Sequence, residues 1–308
     1  MNSSKISRNL RHIALVTGLM LGVWSFISGL LQGLLGFVDP TTFDTSDALG
    51  PLLPLLLVCL LNVLLVTWIV NRTTLTGLRL GSVIFIVVFG VMFFMTQIET
   101  IYFNSAIQMP SEIIVSTLAA GVVVGLVVAW LSVRYKKKLA PSTEARVTSG
   151  SSIVRFEGIL WKIGLMAVIY VVFYFVFGYF IAWQFPSLRE YYSGSREILS
   201  FPVHMQQQFR TDPWLPIFQL VRGAIWAGLG LFIASALNRA VDWERMVIVG
   251  LSLSVGLSTL LLVPNPYMPN LVRLGHFPEL LLENFIFGVL LVRFFRSSFE
   301  AHPKAQSA

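Results

Sequence analysis

Charged residues are scarce in this chain. Only 12% of its 308 residues are Asp, Glu, Lys or Arg, whereas 56% are hydrophobic. Soluble domains carry about 25% charged residues, so this chain has roughly half of what a water-exposed surface requires. The low charge excludes a soluble globular enzyme and a disordered chain, and it predicts an integral membrane protein.

Cysteine is also nearly absent. The single Cys59 lies within an apolar run, so it can form no disulfide within the chain and no cysteine-based metal site. The motifs of nucleotide hydrolysis, zinc proteolysis and serine hydrolysis are missing, as is a pair of histidines deep in facing spans for haem. The sequence therefore predicts no cofactor and no bound metal.

Long apolar runs are what the chain does contain. A bilayer core about 30 Å thick needs roughly 20 apolar residues as a helix, and helices are the spanning structures that such runs can form. The prediction is an all-α protein with eight transmembrane helices, which occupy approximately residues 13–38, 52–70, 80–96, 113–133, 159–183, 214–237, 246–263 and 280–292.

The distribution of Lys and Arg predicts the orientation of these spans. With the N-terminus inside, 17 of the 22 basic residues fall in cytoplasmic segments, as the positive-inside rule requires. An even number of spans returns the C-terminus to the same side. We therefore expect a multi-pass protein of the cell membrane with both termini in the cytoplasm, and the net charge of +7 is no indication of nucleic-acid binding.

The two halves of the sequence resemble each other weakly. Similar short motifs recur in the same order, and they include Pro51-x-x-Pro54 and Pro213-x-x-Pro216, Asn71-Arg72 and Asn238-Arg239, and Gly121 and Gly288. These matches predict two parallel four-helix repeats, residues 1–133 and 159–308, related by a pseudo-two-fold axis along the membrane normal. Residues 134–158 would form a basic, flexible cytoplasmic linker. Its lysines Lys136, Lys137 and Lys138 are expected either to set the topology alone or to contact anionic lipid.

Small residues mark the expected helix contacts. Gly121-x-x-x-Gly125 and Gly223-x-x-x-Ala227 let helix backbones approach closely in lipid. The first span carries a longer stripe, which consists of Gly18, Gly22, Ser25, Gly29, Gly33 and Gly36. All three sets predict helix-contact faces rather than ligand sites.

Two charged residues within the spans need an explanation, because each costs roughly 2.5–3.5 kcal/mol on insertion scales. Measured from Pro213 and Pro278, Arg222 and Glu283 lie about 14 Å and 8 Å along their helices. Helical side chains lean toward the N-terminus, so the longer Arg222 should reach the level of Glu283. We predict that they pair, either as a functional site or as a structural clamp.

Other polar residues could line the same outward-facing vestibule. Gln219 and Asn284 are expected beside the pair, and Gln97 and Glu99 end the third span. His276 and Glu279 are too few for a metal site. They are expected to form a surface pair, because Pro278 should interrupt any shared helix.

The outer loop has an expected element of its own. A short amphipathic helix is expected around residues 195–209, although Pro202 should bend or break it.

Three function hypotheses follow. The favoured one is a permease-like protein that handles a small anionic or zwitterionic solute through the vestibule near Arg222 and Glu283, by rocking of one repeat against the other. The substrate contacts would be Arg222, Glu283, Asn284, Gln219, Glu99 and Gln97. The alternatives are an intramembrane enzyme acting on lipid or lipid-linked groups, with Glu283 as acid or base, and a non-catalytic assembly or sensor protein. The sequence leaves open whether the chain is an enzyme, its oligomeric state, and the identity of its small-molecule or lipid ligand.

Overall fold

The structure is a computed structural model and describes residues 3–34, 49–139 and 158–299. Every regular element in these ranges is a helix. The α-helices are α1 (Ser3–Leu34), α2 (Leu49–Asn71), α3 (Gly77–Phe85), α4 (Met95–Tyr102), α5 (Asn104–Ile107), α6 (Ser111–Leu139), α7 (Ile159–Phe180), α8 (Pro186–Ser193), α9 (Phe201–Thr211), α10 (Leu215–Ala236), α11 (Asp242–Ser258), α12 (Asn270–Phe294) and α13 (Arg296–Phe299).

Three further segments are helical but not α-helical. A π-helical segment, Ile86–Phe94, joins α3 to α4 without a break, and 3₁₀ turns follow α7 at Ala182–Gln184 and α11 at Thr259–Leu262. In the π segment the backbone hydrogen bonds run from i to i+5, so each turn holds one residue more than an α-helix. Residues beyond the segment therefore face a direction that the α-helical period does not predict.

Seven helical stretches of the described chain are long and apolar enough to cross a membrane. They are Asn9–Leu34, Gly50–Asn71, Gly77–Tyr102, Ser111–Leu139, Ile159–Gln184, Leu215–Ala236 and Asp242–Leu262. Seven of the eight expected spans correspond to these stretches. The prediction of a multi-pass helical membrane protein is confirmed at this level.

The eighth expected span corresponds to α12, which is not among the seven. This helix has 25 residues and begins at Asn270, ten residues before the expected start. Pro278 lies inside it and does not interrupt it. Membrane helices tolerate an internal proline because neighbouring groups satisfy the freed backbone. The expectation that Pro278 separates His276 from Glu279 was therefore wrong.

The helices pack mainly within each half of the chain. In the first half α6 packs against α1, α3 and the π segment, and α1 packs against α2. In the second half α12 packs against α11 and α7, and α7 packs against α10. Between the halves, α11 touches α2 and the π segment, and α10 touches α3 and the π segment. One hydrophobic cluster runs through both halves.

Two of the predicted small-residue contacts are close in the structure. A Cβ on Gly121 would come within 2.4 Å of the Phe93 ring in the π segment. A Cβ on Gly223 would come within 3.0 Å of the Ala167 backbone. These glycines therefore allow α6 and α10 to approach their neighbours, as predicted.

The stripe on the first span does not make such a contact. A Cβ added at Gly18, Gly22, Gly29 or Gly33 would meet nothing within 4 Å. The partners of α1 contact its other residues, among them Val16 and Met20, which are fully buried. The prediction that the stripe is a contact face within this chain was wrong for these four glycines. Gly36 lies outside the described residues.

The segment between α7 and α10, which the sequence places in an outer loop, is folded. Arg189 of α8 donates to the backbone oxygens of Trp183 (2.5 Å) and Arg196 (2.8 Å). The Tyr191 hydroxyl lies 3.1 Å from the Ala106 oxygen and 3.0 Å from the Tyr267 oxygen, so α8 is tied to two other loops.

The expected amphipathic helix of this loop is α9, which begins six residues later than expected. Pro202 lies in its first turn and starts the helix rather than breaking it. The reason is that the first backbone N–H groups of a helix have no partner within it, so proline loses nothing there.

The opposite end of the molecule joins the two halves through backbone contacts. Asn238 accepts a hydrogen bond from the Thr74 backbone N–H (2.8 Å), and the Arg239 N–H donates to the Arg72 oxygen (3.0 Å). The two matched Asn-Arg ends of α2 and α10 therefore meet.

The three lysines of the predicted linker differ in their exposure to solvent at this end of the molecule. Lys136 is buried and donates to the backbone oxygens of Val70 (2.8 Å) and Thr73 (2.6 Å), where it caps α2. It therefore does not face lipid headgroups, and the prediction of a lipid contact is wrong for this lysine. Lys137 and Lys138 are exposed. Residues 140–157 of the predicted linker lie outside the described residues.

Candidate functional site

Polar side chains from four helices meet where α4 of the first half of the chain lies beside α7, α10 and α12 of the second half. We call this set the buried polar cluster, and its members are Glu99 of α4, Tyr170 and Tyr174 of α7, Gln219 and Arg222 of α10, and His276, Glu279, Glu283 and Asn284 of α12.

Helical spacing explains how these residues share a site. On α12, His276, Glu279 and Glu283 are three and four residues apart, so they lie along one face of the helix. On α10, Gln219 and Arg222 are three residues apart and share the face that packs on α7. The faces therefore point at each other across the helix interface.

Arg222 forms the strongest contact in the cluster. Its Nη2 lies 2.5 Å from Glu99 Oε2, and its Nη1 donates to Gln219 Oε1 at 3.3 Å. Arg222 is fully buried, whereas the Glu99 side chain is 22% exposed. The guanidinium is thus held between its own helix and α4.

The predicted pair of Arg222 and Glu283 was therefore wrong, since the arginine is salt-bridged to Glu99 instead. The prediction measured the depth of Glu283 from Pro278, as if the last span began there. Glu283 actually lies 13 residues after the start of α12, about 20 Å along the axis, while Arg222 lies about 10 Å into α10. Arg222 also leans toward the N-terminal end of its helix, where it meets Glu99 near the end of α4.

A second contact fixes the position of Glu99 beside Arg222. The Tyr102 hydroxyl donates to Asp212 at 2.9 Å, and its ring stacks on Phe218 with 3.9 Å between ring centroids. Tyr102 lies one turn beyond Glu99, and Phe218 lies one turn before Arg222. The C-terminal end of α4 and the N-terminal end of α10 are therefore joined next to the ion pair.

Glu283 has no such partner. It is fully buried, and neither carboxylate oxygen makes a hydrogen bond to any described residue. Arg222, Glu99 and Glu279 lie within electrostatic range of it. The Tyr170 hydroxyl lies close by without reaching ordinary hydrogen-bond geometry. Glu283 is therefore the most poorly satisfied charged group of the cluster.

Neighbouring polar atoms are also left unsatisfied among the described residues. They are Gln219 Nε2, Arg222 Nε, Asn284 Oδ1 and Trp226 Nε1. Each buried polar atom without a partner costs about 1–3 kcal/mol. Such a group of atoms is unusual for a purely structural clamp, in which all donors and acceptors would be paired.

His276 and Glu279 form the expected pair, but Glu279 is buried and only His276 is partly exposed, so this is not a surface pair. His276 Nδ1 lies 2.6 Å from Glu279 Oε2, and the Glu279 side chain is 4% exposed. The other carboxylate oxygen of Glu279 lies against Gly178 of α7, where a Cβ would come within 3.3 Å of it. The pair is thus enclosed between α12 and α7.

Tyr192 of α8, in the segment between α7 and α10, covers this pair. Its hydroxyl lies 3.2 Å from His276 Nε2. Burial, followed by the carboxylate of Glu99 and by Tyr191, raises the pKa of Tyr192, so the hydroxyl keeps its proton at neutral pH. The Tyr192 hydroxyl and His276 Nε2 are therefore hydrogen-bonded, while Nδ1 of the same imidazole faces Glu279.

The other residues expected in the vestibule have different roles. Gln97 is buried, and its amide oxygen has no hydrogen-bond partner among the described residues, Arg222 included. Asn104 bonds to the backbone of Met109, and Arg273 donates to the backbone oxygen of Val263 (2.8 Å) at the end of the preceding span. The four residues Arg222, Gln219, Glu283 and Asn284 are closed to solvent rather than lining an open vestibule.

Sequence reasoning missed Tyr170, Tyr174 and Tyr192. Tyr170 and Tyr174 lie in an aromatic-rich run, where their hydroxyl groups are not distinctive. Their four-residue spacing, which puts both hydroxyls on one face of α7, was the available signal.

The described part of the chain contains no group of three or more His, Cys, Asp or Glu side chains that could hold a metal ion. Comparisons with known proteins add no further assignment. No protein-family model, no curated protein and no solved structure matches this chain.

Proposed function

We propose that this chain is a permease of the cell membrane in which the buried polar cluster exchanges a proton for a small, positively charged or zwitterionic solute. The observation that carries the proposal is Glu283, a fully buried carboxyl group with two unpartnered oxygens inside a helix bundle of membrane-spanning length. Buried ionisable groups in membrane proteins mark ion and proton pathways, because they are costly unless they serve such a purpose.

The charge of the cluster sets the preferred solute. Three carboxylates face one guanidinium and one imidazole, so the cluster has a charge of about −2 when all carboxyl groups are ionised and His276 is neutral. Arg222 is already occupied by Glu99. This balance favours a proton or a cationic group over the anionic solute that the sequence analysis associated with Arg222.

His276 and Glu279 provide a route for the proton. The groups run from Tyr192 in the outer loop through His276 to Glu279, which lies one helical turn from Glu283. A neutral carboxyl group is far cheaper in a bilayer than a charged one. Glu283 in this proposal carries the proton when no solute is bound, and releases it when a cationic group arrives.

The proposal includes α12 as an eighth span, with both termini in the cytoplasm. A helix of 25 residues extends about 37 Å, which is enough for the bilayer core. The charges that distinguish α12 from the apolar spans are turned inward, since Arg273, Glu279 and Glu283 are 2%, 3% and 0% exposed. The excess of Lys and Arg in the same alternating segments supports the orientation.

The proposal also includes two parallel four-helix repeats, and the helix contacts support it. If a two-fold axis relates the halves, α2 corresponds to α10, and the stretch from α3 to α4 corresponds to α11. The contact of α2 with α11 then becomes the contact of α10 with α3 and the π segment, and the contact of the π segment with α11 maps onto itself. Rocking about this shared interface would open the closed cluster to either side.

The test is proton-coupled uptake into liposomes that contain the purified protein and an acidic lumen. The outside solution holds a pool of amines, amino acids and inorganic cations. Mass spectrometry measures the solutes that enter, and a trapped dye measures internal pH. We expect at least one cationic or zwitterionic solute to accumulate while the lumen becomes more alkaline.

The variant Glu283→Gln removes the exchangeable proton with little change in shape and should abolish the coupled pH change. Glu112→Gln is the matched control, because Glu112 is exposed at the start of α6. The proposal is wrong if no solute enters beyond the level of protein-free liposomes, or if Glu283→Gln transports like the wild type. Uptake of anions alone would contradict the charge argument.

One observation favours a second candidate, an intramembrane enzyme acting on a lipid. An apolar groove of about 260 Å³ lies between α7 and α10, lined by Val168, Val171, Pro216, Ile217 and Leu220. Tyr170 and Gln219 of the buried polar cluster are adjacent in sequence to groove residues. Native mass spectrometry distinguishes the two functions, since a chemically altered lipid that depends on Glu283 would indicate the enzyme.

A further inference from the structure

A separate cavity lies at the other end of the second repeat, away from the buried polar cluster. It has a volume of about 100 Å³ and lies between the start of α11 and the end of α12. Three of its lining side chains are arginines, namely Arg245, Arg293 and Arg296, and one is the acidic Asp242. Met246 and Val292 form an apolar wall.

Basic side chains outnumber acidic ones in the lining of the cavity. Asp242 lies 2.8 Å from Arg296 Nε and 3.5 Å from Arg245 Nη1, so one carboxylate serves two guanidinium groups. The Nε of Arg245 is buried and has no hydrogen-bond partner among the described residues. The lining therefore has a net charge of about +2 and an unused donor, which are the properties of an anion site.

The cavity lies at the level of a membrane surface. Trp243 follows Asp242 and is 60% exposed, and Trp161 is 59% exposed with its ring against Phe294. Exposed tryptophans at helix ends are typical of the headgroup region of a bilayer. Basic pockets between membrane helices at this level bind the headgroups of anionic lipids.

We infer that this cavity, formed by Arg245, Arg293 and Arg296, binds the phosphate group of an anionic phospholipid. The planar guanidinium groups suit a phosphate, which accepts paired hydrogen bonds from them. Met246 and Val292 would contact the apolar part that follows the headgroup. This site is independent of the proposed transport function.

Native mass spectrometry of the full chain in detergent tests the inference, with phosphatidylglycerol as the probe and phosphatidylcholine as the zwitterionic comparison. We expect Arg293→Gln and Arg296→Gln each to lower the affinity for the first bound phosphatidylglycerol molecule by about fivefold. This is the effect of one basic side chain near a membrane surface. Arg79→Gln is the matched control, because Arg79 is an exposed arginine at the same end of the molecule.

Asp242→Asn gives a test of opposite sign that loss of folding cannot imitate. Removing the competing carboxylate should strengthen binding of phosphatidylglycerol. Soluble glycerol phosphate serves as the competitor of phosphatidylglycerol. If it displaces the lipid when both are present at equal concentration, the site binds a soluble phosphate and the lipid inference is wrong. The inference is overturned if Arg79→Gln weakens binding as much as Arg293→Gln, or if phosphatidylcholine binds equally well.

Discussion

At the scale of single residues, the fixed charge of the cluster is Arg222 and the variable charges are the carboxylates. A guanidinium does not lose its proton in a protein, whereas a carboxyl group can be neutral or charged. Glu99 holds Arg222 at 2.5 Å, so Glu283 and Glu279 are left to respond to protons or solute. The role of Glu283 thus depends on Glu99 being the partner of the arginine.

A double-mutant cycle tests that partnership. We expect Arg222→Met and Glu99→Gln each to lower the midpoint of thermal unfolding. Their effects on the free energy of unfolding should be coupled by about 1–3 kcal/mol, because each variant leaves the partner group unsatisfied. The same cycle of Arg222→Met with the exposed Glu112→Gln should be additive. Stronger coupling to Glu283→Gln than to Glu99→Gln would contradict the geometry.

The residues of the cluster were easier to predict than their contacts. Arg222, Glu283 and Asn284 stand out because polar groups in apolar runs are costly, and that cost is visible in the sequence. Their pairing depends on depth within the bundle, which depends on where α12 begins. The helix begins at Asn270 and continues through Pro278, a residue that by sequence alone predicts a helix boundary.

At the scale of helices, the third span owes its geometry to the π segment. Because i-to-i+5 bonds hold an extra residue per turn, the segment rotates α4 relative to α3. This rotation contributes to the direction in which Glu99 points. Ile86–Phe94 contains no proline and only one glycine, so no local signal in the sequence indicates the change of helix type. Such segments are frequent at functional sites.

The close contact between α11 and α12 gives an element-scale prediction. A Cβ on Gly288 of α12 would come within 2.7 Å of the Gly250 Cα of α11, where neither backbone can yield locally. We expect Gly288→Ala to lower the free energy of unfolding by about 1–3 kcal/mol, as overpacking does. The measurement is reversible denaturation in mixed detergent micelles.

Gly228→Ala on α10 is the matched control for this variant. Nothing lies within 4 Å of a Cβ at Gly228, and alanine forms helix better than glycine by about 1 kcal/mol. We expect this variant to be neutral or more stable. Equal destabilisation by both variants would show that α11 and α12 do not approach through Gly250 and Gly288.

At the scale of the whole molecule, two kinds of helix contact are compatible with the predicted repeats. A Cβ on either of the matched glycines, Gly121 and Gly288, would clash with a neighbouring helix of the same half. The matched Asn-Arg ends of α2 and α10 meet each other. A two-fold arrangement would place equivalent helix ends on its axis, which is where the halves must stay joined during rocking.

The number of membrane crossings is the remaining whole-molecule property, and cysteine accessibility measures it. Cys59 is the single cysteine and is fully buried, so Cys59→Ser provides a background without thiols. Three exposed positions report on sidedness, namely Ser7 near the N-terminus, Gln206 in α9 and Ser297 after α12. Each is replaced by cysteine separately and labelled in intact cells with a membrane-impermeant maleimide.

Eight spans and seven spans give different patterns in this assay. If α12 crosses the membrane, Gln206→Cys is labelled from outside, whereas Ser7→Cys and Ser297→Cys are labelled only after the membrane is opened. If α12 does not cross, Ser297→Cys is labelled from outside with Gln206→Cys. We expect the first pattern, because the charges on α12 are turned inward and Arg293 at its end lies on the predicted basic side. The second pattern would place Glu283 outside any crossing helix, and proton exchange at that residue would lose its basis.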